Sequence, residues 1–145
     1  MKKTLVGMVA VLTLCSALAG EWQTDAAKAQ EQAKKENKMV LLDFTGSDWC
    51  GWCIKFKKEV LDTNEFKQYA DKNLVLVEVD FPKKKAQSDA LKKVNKELKV
   101  KYGISGYPTF VVLNAEGKEV GRQVGYSKGG PKAFIEKLNS FKKKG

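Results

Sequence analysis

The residues best equipped for chemistry are Cys50 and Cys53, separated only by Gly51 and Trp52. Two thiols at this spacing can close a disulfide within one turn of chain. If a helix opens at the first of them, its free N–H groups and the positive end of its dipole stabilise a thiolate. Cys50 is then the more acidic and more exposed thiol. It attacks a disulfide, forms a mixed disulfide, and is released by Cys53 about one turn further on. The competing reading is an inert structural bridge. A loop closed over so few residues constrains the unfolded chain little, so a bridge here makes a poor staple. The 145-residue chain has no His, which excludes imidazole base catalysis and His-containing metal sites. Three cysteines in all cannot complete a four-Cys zinc site, and we expect neither a metal nor an organic cofactor.

These thiols need a strand to deliver them and a helix to receive them. Met39 to Phe44 is an apolar run interrupted by Asp43, long enough for a buried strand. The turn-like stretch Thr45 to Trp49 follows, and Phe56, Val60 and Leu61 recur at helical spacing behind the cysteines. Residues 24–37 hold good helix formers, with Thr24 or Asp25 to cap them. Asn64 to Ala70 reads as another helix and Leu74 to Val79 as a strand. After a basic loop at 82–87, Ser88 caps a helix carrying Leu91, Val94 and Leu98. Thr109 to Leu113 and Lys118 to Val124 form a hairpin around Asn114-Ala115-Glu116-Gly117. Gly129-Gly130-Pro131 opens a last helix with Phe134, Ile135, Leu138 and Phe141 on one face. The order α-β-α-β-α-β-β-α predicts an α/β fold, a mixed sheet flanked by helices.

Two motif groups far apart, in the right order, carry a resemblance. Leu42-Asp43-Phe44 and Trp49-Cys50-Gly51-Trp52-Cys53 are followed by Lys101-Tyr102-Gly103-Ile104, Gly106-Tyr107-Pro108-Thr109 and Val124-Gly125. From about Val40 to Phe141 the chain resembles the thioredoxin family, and most of all its exported bacterial members, the thiol:disulfide interchange proteins. The resemblance implies the thioredoxin fold over residues 20–145. It implies Cys50 as nucleophile, Cys53 as resolving thiol and Asp43 as the buried carboxylate that moves the proton of Cys53. Pro108 would be the family's cis-proline, a bond type for which cis is affordable at X-Pro. The backbone at Tyr107 would pair with substrate like an added strand. Trp49, Gly51 and Trp52 would complete the substrate-binding surface. Three departures stand out. Asp43 precedes Cys50 by seven residues, one more than in ordinary thioredoxin. Leu76 stands where family members often carry a lysine partner for the aspartate, so a buried Asp43 would have a raised pKa. The stretch between Asp80 and Lys101 is longer and lysine-rich.

The ends and the charge complete the expectation. Lys2 and Lys3, the apolar run Leu5 to Leu14 and Ala17-Leu18-Ala19 read in that order as a signal peptide over 1–19. Export to the bacterial envelope or beyond permits disulfides. Membrane association would follow only if this segment were retained or Cys15 lipidated, and Leu14 before Cys15 is a poor match to a lipidation signal. With 27 Lys+Arg against 17 Asp+Glu the formal charge is +10, yet Arg122 is the only Arg. Nucleic-acid binding would want a stripe with Arg and interleaved aromatics, so no nucleic-acid partner is expected. The partners expected are protein thiols and disulfides and an upstream redox protein, for a monomer. The absence of a His between the cysteines favours a disulfide reductase, because a cation there would make the disulfide more oxidising. The alternatives are a disulfide oxidase or isomerase, and a non-catalytic thioredoxin-like binding module.

Overall fold

A computed structural model describes residues 20–145. The segment read as a signal peptide, residues 1–19 with Cys15, lies outside the described residues.

Five strands form one sheet: β1 (Trp22–Gln23), β2 (Met39–Thr45), β3 (Leu74–Asp80), β4 (Thr109–Leu113) and β5 (Glu119–Val124). Their spatial order is β1-β3-β2-β4-β5. β3 runs parallel to both β1 and β2, whereas β4 is antiparallel to β2 and to β5. The helices are α1 (Ala26–Glu36), α2 (Gly51–Phe56), α3 (Asn64–Asn73), α4 (Asp89–Lys101) and α5 (Gly130–Lys142), and α2 continues as a π-helical turn over Lys57–Leu61. The expected mixed sheet is present, with one addition. The edge strand β1 escaped the sequence reading because two residues show no periodicity.

The central strands are buried on both faces, so they read as continuous apolar runs rather than alternating ones. Period-two alternation then sends neighbours to opposite layers. Leu41, Leu76, Phe110 and Val112 pack with Phe56, Val60, Phe66, Phe134 and Leu138 from α2, its π turn, α3 and α5. Val40, Leu42, Phe44, Val77 and Val111 pack on the other face against Ala29 and Ala33 of α1. Caps fix the helix starts. Asp25, Thr63 and Ser88 accept from the N–H of Lys28, Phe66 and Leu91. In α4 the half-buried Leu91 and Leu98, the latter packed against the core, share the inner face with a polar residue, while Val94 turns outward. Asn95 is the buried residue, 1% exposed, and its Nδ2 donates to the Asp80 carbonyl at 3.0 Å. Val94 is 42% exposed. Among the described residues no helix is long and apolar enough to cross a membrane.

Candidate redox site at the start of helix α2

β2 ends at Thr45, and the chain must turn sharply to enter α2. Gly46 accepts from the N–H of Cys50 at 2.9 Å and of Trp49 at 3.3 Å, which closes the turn. Cys50 is the N-cap of α2, in extended conformation, and the Cys53 N–H donates to its Sγ at 3.3 Å. This is the polar interaction a thiolate at Cys50 would use. Cys50 and Cys53 are joined as a disulfide, with their Cα atoms 5.2 Å apart. Both side chains are largely buried. The Tyr107–Pro108 peptide is cis. The Pro108 carbonyl accepts from the Gly125 N–H at 2.8 Å, which ties the start of β4 to the end of β5.

The aromatic residues hold this end of the sheet. Trp49 donates its indole N–H to the Phe81 carbonyl at 2.8 Å and meets Tyr107 edge-on, with centroids 5.8 Å apart. Tyr107 lies against Phe81 on its other side at 5.3 Å. Trp52 points outward, 58% exposed, and packs on Tyr126 at 5.1 Å. A Cβ built on Gly51 would meet nothing within 4 Å, so the surface before Cys50 is open. Gly46 is the opposite case, because a Cβ there would stand 2.4 Å from the Trp49 indole. A Gly46→Ala change must push Trp49 off Phe81 and Tyr107. We expect it to lower stability by about 1–3 kcal/mol, the usual cost of overpacking, read as a lower urea midpoint at unchanged m-value.

Behind Cys53 a cavity of about 90 Å³ is lined by Asp43, Glu78, Lys57 and Trp22 among others. Asp43 is 7% exposed, and its Oδ1 has no hydrogen-bond partner. Burial, then the charges of Glu78 and Asp80, pushes its carboxyl up to about 8, against a smaller opposing pull from Lys57. Leu76 is not the residue beside Asp43, as the sequence comparison had it. Leu76 pairs with Leu41, and Glu78 is the residue in register with Asp43. Burial and the charge of Asp80 push Glu78 up as well. Lys85 bears on Glu78, and the cation near Asp43 itself is Lys57 from the π turn after α2, not a residue of β3. The Lys57 ammonium is bound to both Asp62 oxygens at 2.7 Å, so it offsets the carboxyls only weakly.

The loop residues that hold the site were not legible as functional in the sequence. The Asp48 carboxylate accepts from the backbone N–H groups of Lys83, Lys84 and Lys85 at 2.8–2.9 Å. These bonds to the charged form hold its carboxyl down at about 2. Asp80 accepts from the Ser47 N–H at 2.9 Å and from Lys85 Nζ at 3.1 Å. The Lys83 ammonium lies 3.9 Å from the Trp49 ring centroid. The basic loop at 82–85 is therefore fastened to the turn that carries Cys50. The one sequence signal was the extra residue between Thr45 and Asp48, which lengthens that turn.

The family described as thioredoxin-like domain matches residues 26–142. This chain belongs to that family. It is 42% identical over 120 residues to the disulfide bond reductase DsbH of Chlamydia pneumoniae, covering 83% of this chain and 71% of the relative. It is 35% identical over 101 residues to the thioredoxin-related protein DsbJ of the same organism, covering 70% of this chain but only 29% of that protein. A solved structure described as DsbH oxidoreductase superposes with a TM-score of 0.79 at 38% identity, over 96% of this chain and 95% of the other. The fold is the thioredoxin fold, and the chain is a thiol–disulfide oxidoreductase with the Cys50–Cys53 pair.

Proposed function

We propose that the protein is an exported reductase of protein disulfides. The observation that carries the direction is the pair of carboxyls, Asp43 and Glu78, lining the cavity behind Cys53. A cation near the cysteines would stabilise the thiolate and make the disulfide oxidising; a buried cavity in which Asp43 stays largely protonated at neutral pH and the one lysine is held by Asp62 offers no such cation, which favours the protein's own disulfide. A protein that keeps its own disulfide readily gives its electrons away. The 42% identity to a protein named a disulfide bond reductase supports the same direction.

In the reduced protein Cys50 attacks as a thiolate, held by the Cys53 N–H. One substrate sulfur joins Cys50 Sγ and the other leaves, taking up a proton. Cys53 then loses its proton to Asp43 in its ionised form, the minor one at neutral pH, and attacks Cys50 Sγ. The second substrate thiol departs, and Asp43 returns the proton to it or to solvent. Two electrons and two protons pass from the Cys50/Cys53 dithiol to the substrate, leaving the disulfide seen here. Trp49, Gly51, Trp52, Tyr107 and Pro108 form the surface on which the substrate chain lies, with the backbone at Tyr107 pairing to it. An upstream dithiol protein restores the reduced form. Residues 1–19 direct the chain out of the cytoplasm.

The reduction potential of the pair, set by equilibration against a defined thiol buffer, tests the direction. A value near about −270 mV is expected for a reductase. A value of about −120 to −180 mV would reverse it to disulfide donation or shuffling.

A further inference from the structure

The longer, lysine-rich stretch between Asp80 and Lys101 has no part in the exchange chemistry, yet it builds one wall of a groove. The groove holds about 610 Å³ and is lined by Phe81, Ile104 and Val100, with Lys92, Lys96 and Lys99 on α4 along the rim. Val100 is 75% exposed although apolar. Among the described residues Lys96 and Lys99 form no ion pair, and Lys92 has only Asp89 at 3.9 Å. The groove runs up to the redox site. Lys99 Nζ lies 5.6 Å from the Phe81 ring centroid and 5.3 Å from that of Tyr107. Tyr107 in turn touches Trp49 beside Cys50.

We propose that this groove docks an extended segment of the substrate protein in which acidic and apolar residues alternate, next to the disulfide to be reduced. The proposal rests on the protein-disulfide reductase reading above and names the substrate class that reading leaves open. Charge and spacing both argue for this occupant. Lys92 and Lys96, four residues apart on a helix, are separated by a rise of about 6 Å. Alternate residues of an extended chain rise about 7 Å. Every second side chain of such a segment therefore meets the ammonium of Lys92 or Lys96, the intervening apolar ones are left for Phe81 and Ile104, and Val100, next on the Lys92–Lys96 stripe, takes an apolar residue at the segment's end. A chain pairing with the backbone at Tyr107 has only to continue past Phe81 to enter the groove.

The test uses the full chain and two disulfide peptides, one flanked by alternating Glu and Leu and one by alternating Lys and Leu. The flank is set on either side of the cysteine in separate peptides. The expected result is a KM about tenfold lower for the acidic flank on one side, with similar kcat. Lys92→Glu/Lys96→Glu abolishes or reverses that preference and leaves turnover of the neutral disulfide of 2-mercaptoethanol unchanged. Val100→Ser weakens both flanks alike. Lys143→Glu/Lys144→Glu, an equal charge change at the end of the chain, leaves the preference in place. Binding of a fluorescent, cysteine-free Glu/Leu peptide, read by anisotropy, separates the two ideas. If the neutral disulfide is not reduced but the peptide still binds the groove, the reductase reading fails and the docking surface stands. Equal KM values for the two flanks overturn the proposal. So does a preference that survives Lys92→Glu/Lys96→Glu or is lost as much in Lys143→Glu/Lys144→Glu. Phosphatidylglycerol vesicles captured through Lys92 and Lys96, with no peptide preference, would assign the surface to a membrane and overturn it as well.

Discussion

Replacing Cys50 by Ser should reduce disulfide turnover to the background rate, whereas Cys53→Ser should still attack and then stall. The two thiols are not equivalent. Cys50 caps α2 and its Sγ accepts from the Cys53 N–H, so its thiolate is the stabilised one. The Cys53 side faces the carboxyl-lined cavity, where a thiolate is disfavoured until a proton acceptor takes its hydrogen. Loss of the nucleophile removes the covalent route entirely, a loss of at least about a thousandfold. Loss of the resolving thiol leaves the substrate bonded to Cys50, and non-reducing electrophoresis followed by mass spectrometry should show that adduct. Full turnover in Cys50→Ser would refute the assigned roles.

Asp43→Asn should have two separable consequences. The first is on stability. Below about pH 3.8 the carboxyl is protonated in both folded and unfolded chains, so the substitution changes little there. Between that value and about 8 the unfolded chain releases the proton and the folded chain keeps it. The folded state then binds more protons, and stability falls as pH rises through this window. Above about pH 8 the loss is complete and levels off. The buried amide of the variant carries no such slope, so it should be more stable than the parent by on the order of 2–4 kcal/mol at pH 7. Denaturant titrations at pH 4, 7 and 9 check the sign. The second consequence is on rate. With no carboxylate to accept the proton of Cys53, resolution of the mixed disulfide should slow by about a hundredfold or more. Its dependence on pH near 8 should vanish with it. A variant whose stability tracks the parent at every pH would mean that Asp43 is ionised in the folded protein.

Burial first, and then the charge of Glu78, explains why Asp43 behaves this way, and Glu78 marks a limit of reading by motif. Aligning the strand by its apolar pattern puts Leu76 at the position of a family lysine. The register of β2 on β3 puts Glu78 there instead. A shift of two along a strand preserves the inward face and all of the alternation, so the pattern cannot distinguish the two registers. The only trace in the sequence was Glu78 itself, the one charged residue inside the run Leu74 to Val79.

The residues that hold the redox turn were hidden for a related reason. Asp48 and Lys83 to Lys85 are about 35 residues apart, and nothing local requires an aspartate to face three backbone N–H groups. They meet because β2 and β3 are parallel neighbours and finish at the same end of the sheet, Thr45 in register with Asp80. In α4 the apolar series Leu91, Val94 and Leu98 marked the inner face except at Val94, which is exposed while its neighbour Asn95 takes the buried position. The buried Asn95 donates to the Asp80 carbonyl, which also accepts from Gln87 Nε2 at 3.1 Å, a polar contact across the fold that apolar periodicity does not signal.

By itself the sequence determined the redox pair, the strand that leads into it and the helix that receives it, because these follow from short-range spacing and periodicity. It determined the mixed α/β sheet through the order of its runs, and the family through motifs that bracket that order. Only the tertiary structure decided which carboxyl stands beside Asp43, which loop fastens the turn before Cys50, and that the lysines of α4 line a groove leading to Tyr107. Each of these is a contact between segments distant in the chain, and it depends on strand register and helix rotation. Those are settled by the packing of the whole core, not by any window of residues within it.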